Sequence, residues 1–324
     1  MEADGAMTAA PSPAAPLLCV VGPTASGKTA LSLDLAEAVD GEIVSADSMQ
    51  VYRHMDIGTA KLPVSERRGI RHHLIDAAAP TETFSAHQYA ELARSAIAGI
   101  RARGRLPVLV GGTGLYVRAV VDQFDFTQTA RDEELRRQLA REAECLGAQA
   151  LHARLGRLDP RAADRIHPRD LRRIIRALEV VMSTGRPLTA SFSADGSLPR
   201  ARMIGLTLPR DALYRRIDRR VDHMMEMGLL REVEALAALG CTREHTAMQA
   251  IGYKELLAVL HGGMELAEAV AAIKRASRRY AKRQLSWFRA DPRVRWCECP
   301  EDDMMMAARR REIVAEALSA VKRA

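Results

Sequence analysis

Short, mostly apolar runs alternate with segments of helical spacing in the first third of the chain. Each run is flanked by glycine, proline or charged residues and has the length of a buried β-strand. The runs lie at residues 17–21, 42–46, 73–75 and 106–110. Between them, apolar positions three or four residues apart predict helices at 29–39 and 86–103. Strands that alternate with helices form a parallel α/β sheet, which binds ligands at the carboxyl ends of its strands.

The pattern changes near residue 127, where the apolar spacing becomes helical and arginine, leucine and alanine become frequent. A run at 203–208 predicts a strand that returns to the sheet, and the final forty residues are predicted to be helical and polar. We therefore expect a disordered tail, an α/β core in two segments, a mostly helical insertion between them and a C-terminal tail or helix. Their bounds are 1–16, 17–126 with 200–295, 127–199 and 296–324.

The first strand run leads into a sequence that matches the phosphate-binding pattern G-x-x-x-x-G-K-[ST] at every fixed position. Its glycines allow backbone N–H groups to converge on phosphate oxygens, and the N-terminus of the next helix adds partial positive charge. Lys28 supplies a cation, and the Thr29 hydroxyl is a candidate ligand for Mg²⁺. The motif predicts nucleotide or diphosphate binding with Mg²⁺ without identifying ATP. The expected binding residues are Gly22, Pro23, Thr24, Ala25, Ser26, Gly27, Lys28 and Thr29.

The sequence offers little evidence for an acidic metal ligand. A nucleotide hydrolase usually has an acidic metal ligand at the end of an apolar strand, but the strand at 106–110 is followed by Gly111 and Gly112. Asp76 is another candidate for this ligand, although an aspartate in such a position is more commonly a solvated loop residue. His72 and His73 are adjacent and cannot face one ion from one face of a strand, so we assign them no chemistry.

Composition narrows the function only in part. The 324 residues leave room for about two domains, counted at roughly 150 residues each. Hydrophobic residues make up 48% and charged residues 27%, which excludes general disorder, and no apolar stretch approaches the length of a membrane-spanning helix. The net charge of +7 weakly favours a polyanionic partner. Aromatic residues are only 4%, which disfavours an RNA-binding sheet.

The five cysteines have no framework spacing, which indicates a reducing compartment, and we expect a cytoplasmic location. Cys297 and Cys299 form a single C-x-C without a second pair. We interpret them as thiols without a metal role.

Three segments that follow strand ends occur in a defined order: the phosphate-binding motif, Ser-Ala-Asp-Ser-Met-Gln-Val-Tyr-Arg at 45–53 and Gly-Gly-Thr-Gly-Leu-Tyr at 111–116. Further matching segments lie at 172–179, 251–255 and 280–289. From about residue 17 to 290 the chain resembles the tRNA dimethylallyltransferases, P-loop enzymes that modify the adenosine 3′-adjacent to the anticodon. The resemblance implies a P-loop parallel-sheet core with a helical insertion, dimethylallyl diphosphate as donor, Mg²⁺ as cofactor and the anticodon arm of tRNA as partner.

The resemblance implies three catalytic residues. Asp47 is expected to act as general base for the adenine N6 amine, Thr113 to lie beside the transferred group or the RNA, and Arg220 to stabilise the departing diphosphate. From the residues alone, Asp47 fits a helix cap or a ligand of Mg²⁺-bound water equally well. Thr113 equally fits the cap of a helix that begins near Leu115, and Arg220 the solvated face of an amphipathic helix.

The resemblance also implies the residues that contact tRNA. They are Asp47, Ser48, Met49, Gln50, Thr113, Arg136, Arg172, Arg173, Ile174, Ile175, Arg176, Lys282 and Arg283. Many relatives carry glutamine where Arg172 stands, so a base contact there would keep a donor but lose an acceptor. Between residues 274 and 295 nine basic residues accompany a single acid, whereas residues 131–176 have twelve arginines and eight acids. The first of these segments is the stronger candidate for phosphate contacts.

Three alternatives stay open at the level of sequence. A prenyltransferase with the same core that acts on free adenosine nucleotides would not need the insertion or the basic C-terminal segment. A small-molecule kinase would use ATP at the phosphate motif. A non-catalytic RNA-binding P-loop protein would tolerate the loss of Asp47. We expect a monomer that transfers the dimethylallyl group to tRNA.

Overall fold

The computed structural model describes residues 16–122, 132–187 and 201–322. The expected N-terminal tail up to residue 15 lies outside these residues, as do the two ends of the expected insertion, 127–131 and 188–199. The chain divides into two compact units, and the boundaries between them fall before Val121 and after Leu198.

Six strands form one sheet in the first unit. They are β1 (Leu17–Val21), β2 (Gly41–Ser45), β3 (His72–His73), β4 (Leu106–Gly111), β5 (Ala201–Thr207) and β6 (Val294–Glu298). All neighbours are parallel, and the order across the sheet is β3-β2-β4-β1-β5-β6. Every residue of β1 and β2 is buried, as expected for strands covered on both faces. The predicted parallel α/β fold is confirmed.

Twelve α-helices occur in the described residues. They are α1 (Lys28–Ala38), α2 (Ala86–Ala102), α3 (Gly114–Val121), α4 (Glu133–Leu146), α5 (Ala148–Leu158), α6 (Pro160–Arg165), α7 (Leu171–Thr184), α8 (Arg210–Glu226), α9 (Leu229–Ala238), α10 (Tyr253–Leu260), α11 (Leu266–Arg289) and α12 (Asp303–Lys322). No helix among them is long and apolar enough to cross a membrane.

The main core lies between the sheet and the helices that cover it. Leu18 and Val20 of β1 belong to the same buried cluster as Leu31 of α1 and Ile313 of α12. Leu206 of β5 belongs to it as well. This packing anchors the strand ends that carry the candidate chemistry.

The third strand is shorter than predicted. It ends at His73, because Leu74 and Asp76 adopt left-handed backbone conformations with φ of 63° and 59°. Such residues cannot continue an extended strand. The side chain of Asp76 lies 2.6 Å from the ammonium group of Lys61, so this acid is occupied by a salt bridge.

The prediction of purely helical structure after residue 285 is wrong for β6. Val294 and Cys297 are buried whereas Arg295 and Glu298 are exposed, and the strand pairs with β5 at five positions from Met203↔Val294 onward. The expected domain boundary between residues 295 and 296 therefore falls inside a strand. Cys297 and Cys299 are both buried free thiols, which gives them a packing role.

The second unit contains α4 to α7 and has its own core. Leu139, Leu151 and Ile174 are fully buried in this core. Glu179 of α7 is also fully buried, and its carboxylate accepts hydrogen bonds from the backbone N–H of Asp132 and from Arg176. A buried carboxylate needs such partners, because an unpaired one would be strongly destabilising.

Candidate active site

The phosphate loop, residues 22–29, begins at the carboxyl end of β1. Gly22 has a φ of +138°, and a Cβ atom at this position would lie 2.6 Å from the carbonyl oxygen of Leu206. Gly27 has a φ of +92° and immediately precedes α1. Both positions therefore require glycine, which explains the two fixed glycines of the motif.

The cation of the phosphate loop is half-buried. The ammonium group of Lys28 donates to the carbonyl of Pro23 at 2.6 Å. Burial lowers the pKa of Lys28 to about 7; the positive charge of Arg220 also lowers it, whereas Asp47 opposes the shift. An anion bound at the loop would favour the charged form of Lys28, since an opposite charge stabilises an ammonium group.

Two hydroxyl groups complete the loop. The hydroxyl of Ser26 is fully buried and has no hydrogen-bond partner among the described residues, so a phosphate oxygen could accept from it. Thr29 lies in the first turn of α1 and is exposed. An accessible hydroxyl beside a phosphate cradle fits Mg²⁺, which prefers oxygen ligands and retains several waters.

Asp47 follows the end of β2 and begins a tight turn. Its Oδ1 accepts hydrogen bonds from the backbone N–H groups of Met49 at 2.9 Å and Gln50 at 3.4 Å. Its Oδ2 receives no hydrogen bond from the residues that the structure describes. The turn thus orients the carboxylate through one oxygen and leaves the other for a substrate.

Thr113 connects the ends of β4 and β2. Its Oγ1 accepts from the backbone N–H of Ser48 at 3.0 Å, and its backbone N–H donates to the carbonyl of Ala46 at 3.1 Å. A Cβ atom on Gly111 would lie 2.1 Å from that carbonyl oxygen, so the two strand ends approach this closely only with glycine. The hydroxyl of Thr113 therefore fixes the segment that follows Asp47. Thr113 also immediately precedes α3, which is the helix-cap position that the sequence allowed.

Gln50 is turned toward its own loop. Its amide Nε2 donates to the carbonyls of Thr59 and Ala60, and its Oε1 accepts from the Ser45 hydroxyl. Most of its hydrogen-bonding capacity is used in these contacts. Gln50 therefore stabilises the loop of residues 56–61.

Glu232 stabilises the same loop by accepting hydrogen bonds from its backbone N–H groups. Its Oε2 accepts from the backbone N–H groups of Asp56 at 2.9 Å and Ile57 at 2.7 Å, and its Oε1 accepts from that of Gly58 at 3.1 Å. The hydroxyl of Tyr253, whose ring is fully buried, donates to Oε1 at 2.6 Å. Gly58 has no room for a side chain, because a Cβ atom would lie 2.5 Å from the Tyr253 ring.

A cavity of about 310 Å³ opens between these segments, within the first unit. Its polar lining residues include Thr24, Asp47, Ser48, Thr59, Arg220, Ser277, Tyr280 and Arg283. Its apolar lining residues include Met49, Ile217, Val221, Met224, Leu229, Ala250, Ile251 and Ile273. A volume at the lower end of the range for ligand pockets, with a polar and an apolar part, suits a small amphipathic ligand.

Helices α8 and α11 form one side of this cavity and run antiparallel. Asp218 pairs with Arg278 and Asp222 pairs with Lys274, each at 2.6 Å, so residue numbers rise along one helix as they fall along the other. Arg220 faces the cavity from α8. Its pKa is lowered by burial and raised by the charge of Asp47, which indicates that the guanidinium and the carboxylate lie close together.

The sequence did not identify two residues of α11 that reach the site. Gln284 accepts from the backbone N–H of Thr24 and donates to the carbonyl of Gly112. The side chain of Tyr280 lies beside those of Thr113 and Gln284 and lines the cavity. The signal was present as the spacing of Ile273, Ser277, Tyr280 and Gln284, which places all four on one face of a helix.

The expected tRNA-binding residues of α11 are accessible. Lys282 and Arg283 are exposed, and the guanidinium of Arg283 lies 5.6 Å from the centroid of the Tyr280 ring at the cavity. Trp287 is 39% exposed, whereas Phe288 is buried.

The expected tRNA-binding residues of the second unit have different surroundings. Arg172 and Arg173 are exposed on α7, and Ile175 is half-buried. Arg136 and Arg176 both contact the buried carboxylate of Glu179. Ile174 is fully buried in the core of this unit, which leaves no surface for the expected contact with tRNA and gives it a packing role.

Comparison with known proteins places this chain in one family. The family model described as IPP transferase matches residues 50–291. The curated tRNA dimethylallyltransferase of Carboxydothermus hydrogenoformans is 48% identical over 89% of this chain and 93% of its own length. The chain is a P-loop α/β protein with an inserted helical unit. It belongs to the IPP transferase family.

Two solved structures are similar over most of the chain. The full-length tRNA isopentenylpyrophosphate transferase of Bacillus halodurans is 46% identical, has a TM-score of 0.71 and covers 95% of this chain and 97% of its own. A eukaryotic dimethylallyltransferase, whose structure shows it acting on tRNA, is 29% identical with a TM-score of 0.77. This similarity covers 89% of this chain and 74% of the eukaryotic one.

Proposed function

We propose that this protein is a tRNA dimethylallyltransferase. It transfers a dimethylallyl group from dimethylallyl diphosphate to the N6 amine of the adenosine 3′-adjacent to the anticodon, and it releases diphosphate. The observation that carries the proposal is that Asp47 and Arg220 line one partly apolar cavity and lie close enough to Lys28 of the phosphate loop for their charges to affect its pKa.

The cationic part of the cavity suits the leaving group. When the allylic C–O bond breaks, negative charge develops on the diphosphate oxygens. Lys28, Arg220 and the N–H groups of the phosphate loop are positioned to stabilise that charge, which is electrostatic catalysis. The apolar part, formed by side chains such as Val221 and Ile273, suits a five-carbon hydrocarbon chain.

Asp47 is positioned to act as a base on the acceptor of the dimethylallyl group, the N6 amine of adenine. An aromatic amine is a poor nucleophile and loses a proton as it attacks carbon. The carboxylate of Asp47 is anchored through Oδ1 and can accept that proton, a role that contributes roughly 10²–10⁴-fold in rate. Thr113 supports the role indirectly, because it fixes the backbone of Ser48 beside this carboxylate.

Mg²⁺ is part of the proposal as a cofactor of the donor. The described residues contain no cluster of three acidic, histidine or cysteine side chains that could hold a metal by itself. The Thr29 hydroxyl is the group of the phosphate loop that would hold Mg²⁺, and phosphate oxygens of the donor and water would supply further ligands. When bound, Mg²⁺ neutralises charge on the diphosphate.

The outer face of α11 supports an RNA partner. Arg275, Arg279, Lys282 and Arg289 are exposed, and no acidic side chain of the described residues pairs with them. Their spacing places them along one face over about 21 Å, at a rise of roughly 1.5 Å per residue. Such a row of cations suits successive phosphates of a nucleic acid, and the binding should weaken as salt is added.

We expect a monomer in the cytoplasm. All five cysteines are free thiols, as suits a reducing compartment.

The test is incubation of the purified protein with labelled dimethylallyl diphosphate, Mg²⁺ and separate pools of tRNA and adenine nucleotides. We expect label in a nucleoside of the tRNA pool alone. Label in the nucleotide pool would favour a prenyltransferase of free nucleotides. Consumption of ATP with no use of the allylic donor would favour a kinase, and no transfer at all would favour a non-catalytic RNA-binding protein.

A further inference from the structure

Tyr280 occupies a distinct position in the cavity. It is the one aromatic side chain among the described residues that line this cavity. It lies on α11 between Ile273, an apolar lining residue, and Gln284, which contacts the phosphate loop. Its ring therefore lies between the part of the cavity that suits the diphosphate and the part that suits a hydrocarbon chain.

Tyr280 is surrounded by residues that fix the ends of strands and loops at the site. It lies beside Thr113, whose Oγ1 accepts from the backbone N–H of Ser48, and beside Gln284, whose Oε1 accepts from that of Thr24. Burial and the negative charge of Asp47 raise the pKa of Tyr280 to about 12, so the phenol stays neutral at physiological pH. The residue thus presents an uncharged aromatic ring to the cavity.

The proposed reaction generates positive charge on carbon in this region. The allylic C–O bond breaks, and its electron pair leaves with the diphosphate. The N6 lone pair forms the new C–N bond, and the N6 proton passes to Asp47. In the transition state the five-carbon group carries positive charge, which Lys28 and Arg220 repel although they stabilise the leaving diphosphate.

We propose that the face of the Tyr280 ring stabilises the positive charge that develops on the allylic group, so that Tyr280 is a further catalytic residue. This inference rests on the proposed transfer of a dimethylallyl group. The electrostatic basis is the negative potential at the face of an aromatic ring, which attracts a cation within about 6 Å of the centroid.

The contact with Arg283 shows that this ring accommodates a cation. Its guanidinium carbon lies 5.6 Å from the ring centroid. A ring has two faces, and the proposal concerns the one that is turned to the allylic group. A desolvated cation–π contact contributes about 2 kcal/mol, which corresponds to about 30-fold in rate.

The test replaces the ring's charge distribution while keeping its shape. In Tyr280→Phe the ring stays and the hydroxyl is lost, and phenylalanines with one, two or three ring fluorines at this position then weaken the negative face stepwise. Single-turnover transfer from dimethylallyl diphosphate to tRNA is measured for each. We expect the rate to fall stepwise with fluorination, and Tyr280→Leu to be about 30-fold slower than Tyr280→Phe.

Controls separate this effect from a loss of structure. The same fluorinated residues at Phe288, which is buried and does not line the cavity, should leave the transfer rate unchanged. The KM for tRNA and the thermal unfolding temperature should not change along the Tyr280 series. A rate that is independent of fluorination, or equal rates for the leucine and phenylalanine variants, would overturn the role of the ring. Wild-type protein that transfers no dimethylallyl group would instead overturn the proposed function.

Discussion

The side-chain carbonyl of Gln284 accepts a hydrogen bond from the backbone N–H of Thr24 at 2.9 Å. The amide nitrogen of the same side chain donates to the carbonyl of Gly112 at 3.0 Å. A residue of α11 thus joins the phosphate loop to the end of β4, across 260 positions of sequence. A Cβ atom on Gly112 would collide with this amide, so the glycine and the glutamine are matched.

We predict that Gln284→Ala raises the KM for dimethylallyl diphosphate about tenfold. The substitution removes two hydrogen bonds and leaves buried backbone groups without partners, at a cost of about 1–3 kcal/mol each. Steady-state kinetics at saturating tRNA measure the effect. Ser286→Ala, an exposed position on the same helix, is the control. A KM within twofold of wild type would contradict a role of Gln284 in shaping the phosphate loop.

Asp47→Asn should lower kcat by roughly 10²–10⁴-fold, because asparagine cannot take up the N6 proton. The asparagine side-chain oxygen can still accept from the N–H groups of Met49 and Gln50, so the turn is preserved. We expect the affinity for tRNA, measured by filter binding, to stay within threefold of wild type. Equal losses in affinity and in turnover would assign Asp47 a role in folding or binding.

The binding of diphosphate should be coupled to proton uptake by Lys28. Its pKa is about 7 in the folded chain, so it is mostly neutral at pH 8, and a bound anion restores the charged form. Calorimetric titration with inorganic diphosphate in two buffers of different ionisation enthalpy should show more proton uptake at pH 8 than at pH 6. Lys28→Arg should lose this difference. Equal proton uptake by the wild type and by Lys28→Arg at both pH values would contradict a lowered pKa of Lys28.

The lowered pKa of Lys28 also makes the free energy of unfolding depend on pH. The pKa of Lys28 is lower in the folded chain than in the unfolded one, so the unfolded chain binds more protons between pH 7 and the ordinary lysine pKa. The contribution of Lys28 to the free energy of unfolding therefore rises with pH across this window. Below pH 7 both states carry the proton, and the buried charge destabilises the fold.

Glu232→Gln should lower the free energy of unfolding by about 1–3 kcal/mol, because the carboxylate holds three backbone N–H groups and the Tyr253 hydroxyl. The NH₂ group of the glutamine side chain would also replace an acceptor oxygen and would face backbone N–H donors. Urea unfolding measures the change. Glu234→Gln, on the same helix but exposed, makes the same change of charge and should have little effect. Equal stabilities of the two variants would argue against the importance of these contacts.

Glu179 should make the stability of the second unit depend on acid. Burial alone would raise its pKa, but hydrogen bonds from Arg136, Arg176 and the backbone of Asp132 outweigh this effect and lower it. Because the pKa is lower in the folded state, the stabilisation is present above the ordinary glutamate value and is lost as the pH falls through the folded value. Glu179→Gln should therefore be less stable than wild type at pH 7, and the difference should shrink at pH 3. A difference that is constant with pH would contradict this account.

Several features of the protein could be predicted from the sequence because they depend on local chemistry. Glycines at 22 and 27, with Lys28, define a phosphate loop wherever a strand precedes and a helix follows. The short apolar runs predicted four of the parallel strands in their correct places, and the segment around Asp47 and Thr113 carried the resemblance that the comparisons confirm.

The remaining features depend on contacts between residues far apart in the chain, which no local pattern encodes. β6 was missed because it has only five residues, two of them buried, and this pattern gives a weak signal until β5 supplies a pairing partner. Gln284 and Glu232 were missed because the backbone groups that they bind lie at least 170 positions away in the chain. Whether an arginine such as Arg220 faces solvent or a reactive cavity is decided by the antiparallel packing of α8 and α11, because helical spacing defines a face but not what that face contacts.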